Sequence, residues 1–279
     1  MFSLLALVAA IVYGGADFLG GLATRRSAIM PVAVFSQLAG FVTFFVAQPL
    51  VGGHAPSAAD LAWGGASGLA GGLGLMFLYR GLAEGRMSIV APVTAVLAVV
   101  VPVLVGTMLG EHHSALAATG VILALAAIVL VSQEASSAGS GAGLDRGIGS
   151  ALLAGVLIGF FYVGFGRTAP GSGLWPLASA RVVSVLGLTA LATARGQSLR
   201  PARTALPLIV AGGMLDMLAN TLYLLAMRGG SLGIAATLTS LYPASTIVLA
   251  RIVLGERLRG LQIAGLACAG VAIALVTLY

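Results

Sequence analysis

The sequence predicts an all-α membrane protein in which ten transmembrane helices form two inverted five-helix repeats around a central cavity. Three observations predict this fold class: an apolar composition, ten apolar segments of spanning length, and an arginine distribution that reverses between the two halves of the chain. Of the 279 residues, 59% are hydrophobic and only 8% are charged, whereas about a quarter of the residues of a soluble domain are charged. The composition therefore disfavours a soluble fold, and the 40 glycines are typical of closely packed membrane helices.

A helix needs about 20 mostly apolar residues to cross the hydrocarbon core of a bilayer. Segments that meet this requirement lie at residues 3–22, 31–50, 61–79, 88–109, 115–132, 148–166, 174–193, 206–225, 232–254 and 261–278. Residues 1–132 therefore predict a first five-helix repeat, and residues 148–279 predict a second. The residues between them, 133–147, are rich in Ser and Gly, which predicts a flexible linker loop.

The arginines are distributed unequally between the two sides of the predicted bundle. Connections after the odd-numbered segments contain Arg25, Arg26, Arg80, Arg86, Arg146, Arg195, Arg200, Arg203, Arg257 and Arg259, and those after the even-numbered segments contain only Arg167 and Arg228. Because basic residues stay in the cytoplasm, both chain termini are predicted to be non-cytoplasmic. Each half has its own charge bias, and the two biases are opposite, as inverted-topology repeats require.

Short motifs recur in the two halves at an offset of about 145 residues, which favours a duplication over chance similarity. Segment 4 ends in Leu-Gly-Glu at residues 109–111, and segment 9 ends in Leu-Gly-Glu at residues 254–256. Glu111 and Glu256 therefore close equivalent helices, and we expect each carboxylate to cap or pair with the terminus of a neighbouring helix rather than to transfer protons.

These features resemble the drug/metabolite transporter superfamily, specifically the EamA type with two tandem five-helix repeats. The markers are residues 254–258 (Leu-Gly-Glu-Arg-Leu), Pro243 earlier in the same segment, Arg181 in segment 7, and residues 13–21 in segment 1. The resemblance covers the whole chain. It implies a central cavity between the halves that opens alternately to each side, and the family includes exporters of amino acids and other metabolites. A bacterial inner (plasma) membrane is the expected location.

The first half departs from this family pattern at two positions. Ala98 stands near the counterpart of Pro243, and Ser36 or Gln37 stands where the counterpart of Arg181 would be. These departures leave the predicted fold intact, but they weaken the transfer of any particular substrate from the family.

Charged side chains within spanning segments are costly, so each one predicts a functional or a pairing role. Asp216 lies near the middle of segment 8, and Asn220 and Tyr223 follow it at helical spacing, so one stripe of this helix is predicted to line the cavity. The alternative is that Asp216 is protonated or bonded to a neighbouring helix and only locks the bundle. Arg181 cannot lose its proton and needs an anion, which a substrate carboxylate, Asp216 or a helix C-terminus would supply equally well.

The remaining candidate binding residues are an aspartate and several tyrosines. Asp17 and Tyr13 lie one turn apart on segment 1, where they either line the cavity or, for Asp17, pair with Arg25 or Arg26 at the interface. Tyrosines can bind a substrate or serve as interfacial anchors. The full set of candidate substrate-binding residues is Tyr13, Asp17, Tyr79, Tyr162, Arg181, Asp216, Asn220, Tyr223 and Tyr242.

The sequence predicts a secondary transporter or exporter that moves a small metabolite, such as an amino acid or a related amphipathic compound, by alternating access. Its predicted partners are the small-molecule substrate, the lipid bilayer and, in a coupled version, protons. The oligomeric state stays open. A noncatalytic membrane scaffold or partner subunit is the alternative. No catalytic set, metal motif or cofactor motif is recognisable, and scattered arginines form no nucleic-acid-binding face, so we expect no enzyme, no metal, no cofactor and no nucleic-acid partner.

Overall fold

The computed structural model of the protein describes residues 2–110, 115–137, 142–229, 238–239, 241–256 and 260–278. These residues contain ten α-helices and no strand: α1 (Phe2–Thr24), α2 (Ile29–Val51), α3 (Ala58–Glu84), α4 (Met87–Met108), α5 (Ala115–Ser137), α6 (Ala142–Phe165), α7 (Trp175–Ala194), α8 (Leu206–Gly229), α9 (Tyr242–Leu254) and α10 (Gly260–Leu278). Short 3₁₀ turns at Pro170–Ser172 and Arg203–Ala205 precede α7 and α8.

Most of these helices are long and apolar enough to cross a membrane. Within the described residues, α1 to α4 and α6 to α8 provide seven candidate spans, whereas α5, α9 and α10 provide shorter apolar stretches. Large apolar side chains also cover the outside of the bundle, as at Leu50, which is 83% exposed, and Phe45, which is 70% exposed. Such a surface is stable in lipid, which supports an integral membrane protein. The number of ten spans stays a prediction.

The segment predicted to be a flexible linker is largely helical. Helix α5 continues to Ser137 and α6 begins at Ala142, so only residues 138–141, which lie outside the described residues, separate the two helices. The prediction of a loop over all of 133–147 is therefore wrong. Gln133, Glu134 and Ala135 are good helix formers, and they extend α5 beyond its apolar stretch despite the Ser and Gly that follow.

Within the predicted ninth segment, residues 232–254, the structure describes helix at residues 238–239 and again over Tyr242–Leu254, with a turn at Leu241. Pro243 lies in the first turn of α9, where the missing N–H has no helical partner to lose. Pro243 therefore lies at the start of α9 and does not kink this helix. Residues 230–237 and 240 lie outside the described residues.

The ends of the helices form two chemically different faces of the bundle. One face, here called the basic end, contains the α1–α2, α3–α4 and α7–α8 connections and the end of α9, with Arg25, Arg26, Arg80, Arg86, Arg195, Arg200 and Arg203. A hydrogen bond from Ala202 N–H to Ser27 Oγ (3.0 Å) joins two of these connections. The other face, the far end, contains the α2–α3 and α6–α7 connections, which are joined by His54 N–H and Gly171 O (2.9 Å).

The helix pairs that pack together are related by exchange of the two halves. Helix α1 packs against α8 and α9, and α6 packs against α3 and α4. Likewise α2 packs against α8, and α7 packs against α3, while α5 and α10 pack against each other. Suppose the two halves exchange numbers, so that α1 becomes α6 and α6 becomes α1. Each of these contacts then becomes another contact of the same set.

Two of these crossings require glycine at the contact point. A Cβ atom on Gly68 of α3 would lie 2.2 Å from Ala180 O of α7, and one on Gly213 of α8 would lie 2.0 Å from Ser36 O of α2. Both distances are far below van der Waals contact with backbone atoms that cannot rotate away. The absence of a side chain at these positions therefore sets how closely α3 approaches α7 and how closely α8 approaches α2.

We expect Gly68→Ala to force α3 and α7 apart and to destabilise the protein by about 1–3 kcal/mol, because the added methyl group overpacks a backbone contact. Gly149→Ala on α6 is the matched control, since nothing lies within 4 Å of that position. Thermal unfolding of both variants in detergent measures the effect. Equal unfolding midpoints for the two variants would contradict the assigned role of Gly68.

Candidate functional site

A cavity of about 840 Å³ lies in the interior of the bundle and is lined by residues of α1 to α4 and α6 to α9. This volume is typical of sites for small molecules. Eight of the nine residues predicted from the sequence contribute to its wall: Tyr13, Asp17, Tyr162, Arg181, Asp216, Asn220, Tyr223 and Tyr242. The helical register inferred from the sequence therefore places these eight residues around a common space.

Tyr79 is the exception among the predicted residues, because it does not line the cavity. It is only 1% exposed and belongs to the apolar core, where it packs against α1. A Cβ atom on Gly20 would lie 2.1 Å from Tyr79 Cε1, so the glycine of α1 makes room for the ring. The prediction of Tyr79 as a substrate-binding residue is therefore corrected, whereas Tyr223, predicted with it, lines the cavity.

Arg181 and Asp216 form a buried ion pair between α7 and α8. The Arg181 guanidinium, in a residue only 8% exposed, donates through Nη2 to Asp216 Oδ2. Asn220 Nδ2, one turn further along α8, donates to Asp216 O (2.8 Å) and makes a longer contact with Oδ2 (3.4 Å). Among the anions that the sequence left open for Arg181, the structure thus provides Asp216, and the two charges compensate each other.

Asp17 is a second carboxylate in the cavity wall, and it has no partner among the residues that the structure describes. It is 6% exposed, and within the described part of the chain no hydrogen bond or ion pair connects its carboxylate to another residue. Arg25, one of the two arginines considered as its partner, instead lies 3.7 Å from Glu256. A buried carboxylate without a partner is unfavourable unless it binds a proton or a cation. Asp17 therefore lines the cavity as a group that a ligand can satisfy.

Aromatic rings form much of the remaining wall. The centroids of Tyr13 and Tyr242 are 6.1 Å apart, with an interplanar angle of 54°. On α6, Phe161 stacks on Phe165 at 5.7 Å and contacts the ring of Tyr162 edge-on at 5.4 Å. All five rings line the cavity, so its wall combines aromatic faces with a small number of polar groups.

Gln37 is a polar cavity residue that the sequence analysis did not select. It lies on α2, is 4% exposed, and its Oε1 atom is buried with no hydrogen-bond partner in the described structure. A neutral amide in an apolar segment carries no charge that would indicate a functional role. The available signal was the internal repeat, which places residue 36 or 37 at the counterpart of Arg181.

At the basic end, Glu256 binds the N-terminus of α4. Glu256 Oε1 accepts from Met87 N–H (3.1 Å), and Oε2 accepts from Ser88 N–H (3.0 Å) and Ser88 Oγ–H (2.7 Å). The Arg25 guanidinium adds its charge at 3.7 Å and donates to Leu82 O at 3.2 Å. This set of contacts, here called the Glu256 latch, connects the end of α9 to α1 and α4. The expected capping role of Glu256 is confirmed, whereas Glu111 lies outside the described residues.

Residues at the far end of the bundle form part of the cavity wall. Residues 166, 168–170, 172 and 173 of the α6–α7 connection line the cavity, whereas the latch residues do not. Asp60 at the start of α3 supports this connection, since its Oδ1 accepts from Ala169 N–H at 2.7 Å. The cavity therefore extends toward the far end and stops short of the basic end.

Apolar helices around a buried polar cavity of solute size are typical of helical membrane transporters. Residues 145–278 match the family model described as the EamA-like transporter family. This match covers slightly less than half of the chain, and over that second half it confirms the resemblance found in the sequence. The match to this family supports the interpretation of the chain as a membrane transporter of small solutes. It supports neither a particular substrate nor a particular mode of coupling.

Comparison with other proteins adds information on the fold alone. No match was found among curated protein sequences. A solved structure described as "Crystal structure of protein" has a similar fold, with a TM-score of 0.61 and 16% sequence identity. The alignment covers 99% of this chain and 97% of the chain in that structure. Similarity at this level of identity establishes a common architecture and does not transfer an activity.

We expect Asp216→Ala to destabilise the protein by about 3–5 kcal/mol, because it leaves the buried Arg181 guanidinium without its counter-charge. Replacing both partners together (Arg181→Met with Asp216→Leu) should recover most of that loss. Glu84→Ala is the control, since Glu84 pairs with Arg80 near the surface and such pairs contribute at most about 1 kcal/mol. Thermal unfolding in detergent measures all three variants. A stable Asp216→Ala variant would show that the ion pair does not hold α7 and α8 together.

Proposed function

We propose that the protein is a secondary transporter that carries a small metabolite across the membrane by alternating access. The observation that carries the proposal is the cavity: its wall comes from both halves of the chain, it extends to the far end, and the Glu256 latch connects the halves at the basic end. A central site that communicates with one side while a polar contact seals the other is what alternating access requires.

The proposal includes two halves that are inverted repeats. Exchanging the two halves converts each helix–helix contact into another observed contact. The close crossings at Gly68 and Gly213 also lie 145 residues apart, near the repeat offset found in the sequence. The reversed arginine bias supports the same arrangement. In this view the basic end faces the cytoplasm of a bacterial inner membrane and both termini are non-cytoplasmic.

The cavity wall supports an amphipathic substrate, such as an amino acid or a related compound. Aromatic faces suit an apolar part of the solute, and Gln37, Asn220 and Asp17 provide polar contacts. The proposal includes a version that is coupled to protons. Asp17, which has no partner among the described residues, is better suited to carry the coupling proton than Asp216, which is paired with Arg181. A noncatalytic scaffold, the alternative considered from the sequence, assigns no role to a solute-sized cavity with an unpaired carboxylate.

The inverted arrangement predicts that residues 112 and 257, which follow the equivalent helices, face opposite sides of the membrane. The test uses His112→Cys and Arg257→Cys, each in a chain whose single cysteine is replaced by Cys268→Ser. A membrane-impermeant maleimide added to intact cells should label the cysteine at 112 and not the one at 257. Labelling of both from the same side would contradict the inverted halves and the carrier mechanism with them.

The latch predicts a conformational effect of Glu256→Gln. Each hydrogen bond to a charged group contributes about 1.5–3 kcal/mol, so weakening the latch should raise the population open at the basic end about tenfold or more. A cysteine at the buried cavity residue Leu78 reports this opening through its rate of labelling from the basic-end side. Glu84→Gln is the matched control. Equal labelling rates in the Glu256 variant and the control would show that the latch does not close the cavity.

A further inference from the structure

We infer that the cavity selects organic cations, with Asp17 as the counter-ion and the Tyr13–Tyr242 pair as the aromatic wall. This inference rests on the proposed transport function and specifies the substrate class of the same site. Its basis is the charge of the cavity wall. The charged residues among those that line the cavity are Asp17, Arg181 and Asp216. Because Arg181 and Asp216 neutralise each other, the part of the wall that the structure describes has, when ionised, one uncompensated negative charge.

The unpartnered polar groups of the wall have the same preference. Asp17 has no described partner, Gln37 Oε1 is a buried acceptor without a donor, and the Tyr13 hydroxyl, which also has no described partner, can accept as well as donate. A protonated amine supplies N–H donors and a positive charge to such acceptors, whereas an anionic group supplies neither. A carboxylate on the substrate would also have to displace Asp216 from Arg181 to find a positive partner, and Asn220 Nδ2 makes a further contact with Asp216 Oδ2 at 3.4 Å.

The aromatic wall beside Asp17 suits the same class of ligand. Tyr13 lies one helical turn before Asp17, so the two side chains share a face of α1. The rings of Tyr13 and Tyr242 have centroids 6.1 Å apart, so one cation can lie within about 6 Å of both, the range of a cation–π interaction. In a desolvated site such contacts are stronger than at a surface.

The position of the ring pair is fixed by close packing of α1 and α9. A Cβ atom on Gly14 would lie 2.5 Å from Tyr242 O, so the glycine permits this approach. Ser245 Oγ–H donates to Ala10 O (3.1 Å), and Thr246 Oγ1–H donates to Gly14 O (3.2 Å). The packing of α9 against α1 therefore keeps Tyr242 near Tyr13, and the aromatic wall exists before a ligand enters.

The test measures uptake by the full chain in proteoliposomes, with three probes that share a phenyl ring. Phenyltrimethylammonium has a permanent positive charge, phenylalanine is a zwitterion and phenylacetate is an anion. We expect the wild-type protein to carry the cation at least about tenfold faster than either of the others. Faster uptake of phenylalanine or phenylacetate than of the cation would overturn the inference and leave the transporter intact.

Variants then assign the selectivity to Asp17. Asp17→Asn should lower the initial rate of cation uptake at least about tenfold, Asp17→Glu should retain most of it, and the surface control Glu84→Gln should leave it unchanged. Size-exclusion chromatography shows whether each variant is folded. Cation uptake at the wild-type rate in folded Asp17→Asn would overturn the role of Asp17. If Asp17→Asn does not fold, the charge preference of the wild-type protein decides.

Absence of uptake for every probe would also overturn the inference. That outcome is separable from failure of the proposed function, because labelling at residues 112, 257 and 78 tests the carrier mechanism without a substrate.

Discussion

Lipid offers no hydrogen-bond partner to a polar side chain, so each polar group inside this bundle must find its partner within the protein or in a ligand. This constraint accounts for the main polar features of the structure. Arg181 and Asp216 satisfy each other between α7 and α8, and Glu256 satisfies the free N–H groups at the start of α4. Asp17, Gln37 Oε1 and the Tyr13 hydroxyl have no such partner among the described residues. The groups that remain unsatisfied are therefore found where the bundle contains its cavity.

Glycine makes this distribution of partners possible. Where backbones meet at Gly68, Gly213 and Gly14, neighbouring helices approach more closely than side chains would permit. These contacts leave the larger side chains to fill the core or to line the cavity. The same packing fixes the positions of polar groups, because a rigid helix contact transmits its geometry to side chains one turn away. The ion pair, the ring pair of Tyr13 and Tyr242, and the cavity wall thus depend on glycines that carry no chemistry.

Helix positions and most of the site were predictable from the sequence, because hydropathy and helical period depend on local composition. Asp216, Asn220 and Tyr223 share one face of α8 by spacing alone, and all three line the cavity. Tyr79 was not predictable in this way, since the neighbour that covers it is Gly20 of another helix. The partner of Arg181 was equally open, because only the tertiary arrangement brings Asp216 to it. The loop prediction for residues 133–147 was wrong because Ser and Gly favour a loop by composition, whereas the helix formers beside them extend α5.

Helices α5 and α10 pack against each other, and none of the described residues that line the cavity comes from either of them. Their sequences are therefore constrained by solubility in lipid and by mutual packing, and not by recognition of a solute. Two related proteins could differ widely in this outer pair and still handle the same cargo. Conversely, a change of cargo needs no change there, so the pair provides a fixed support beside which the other eight helices can diversify.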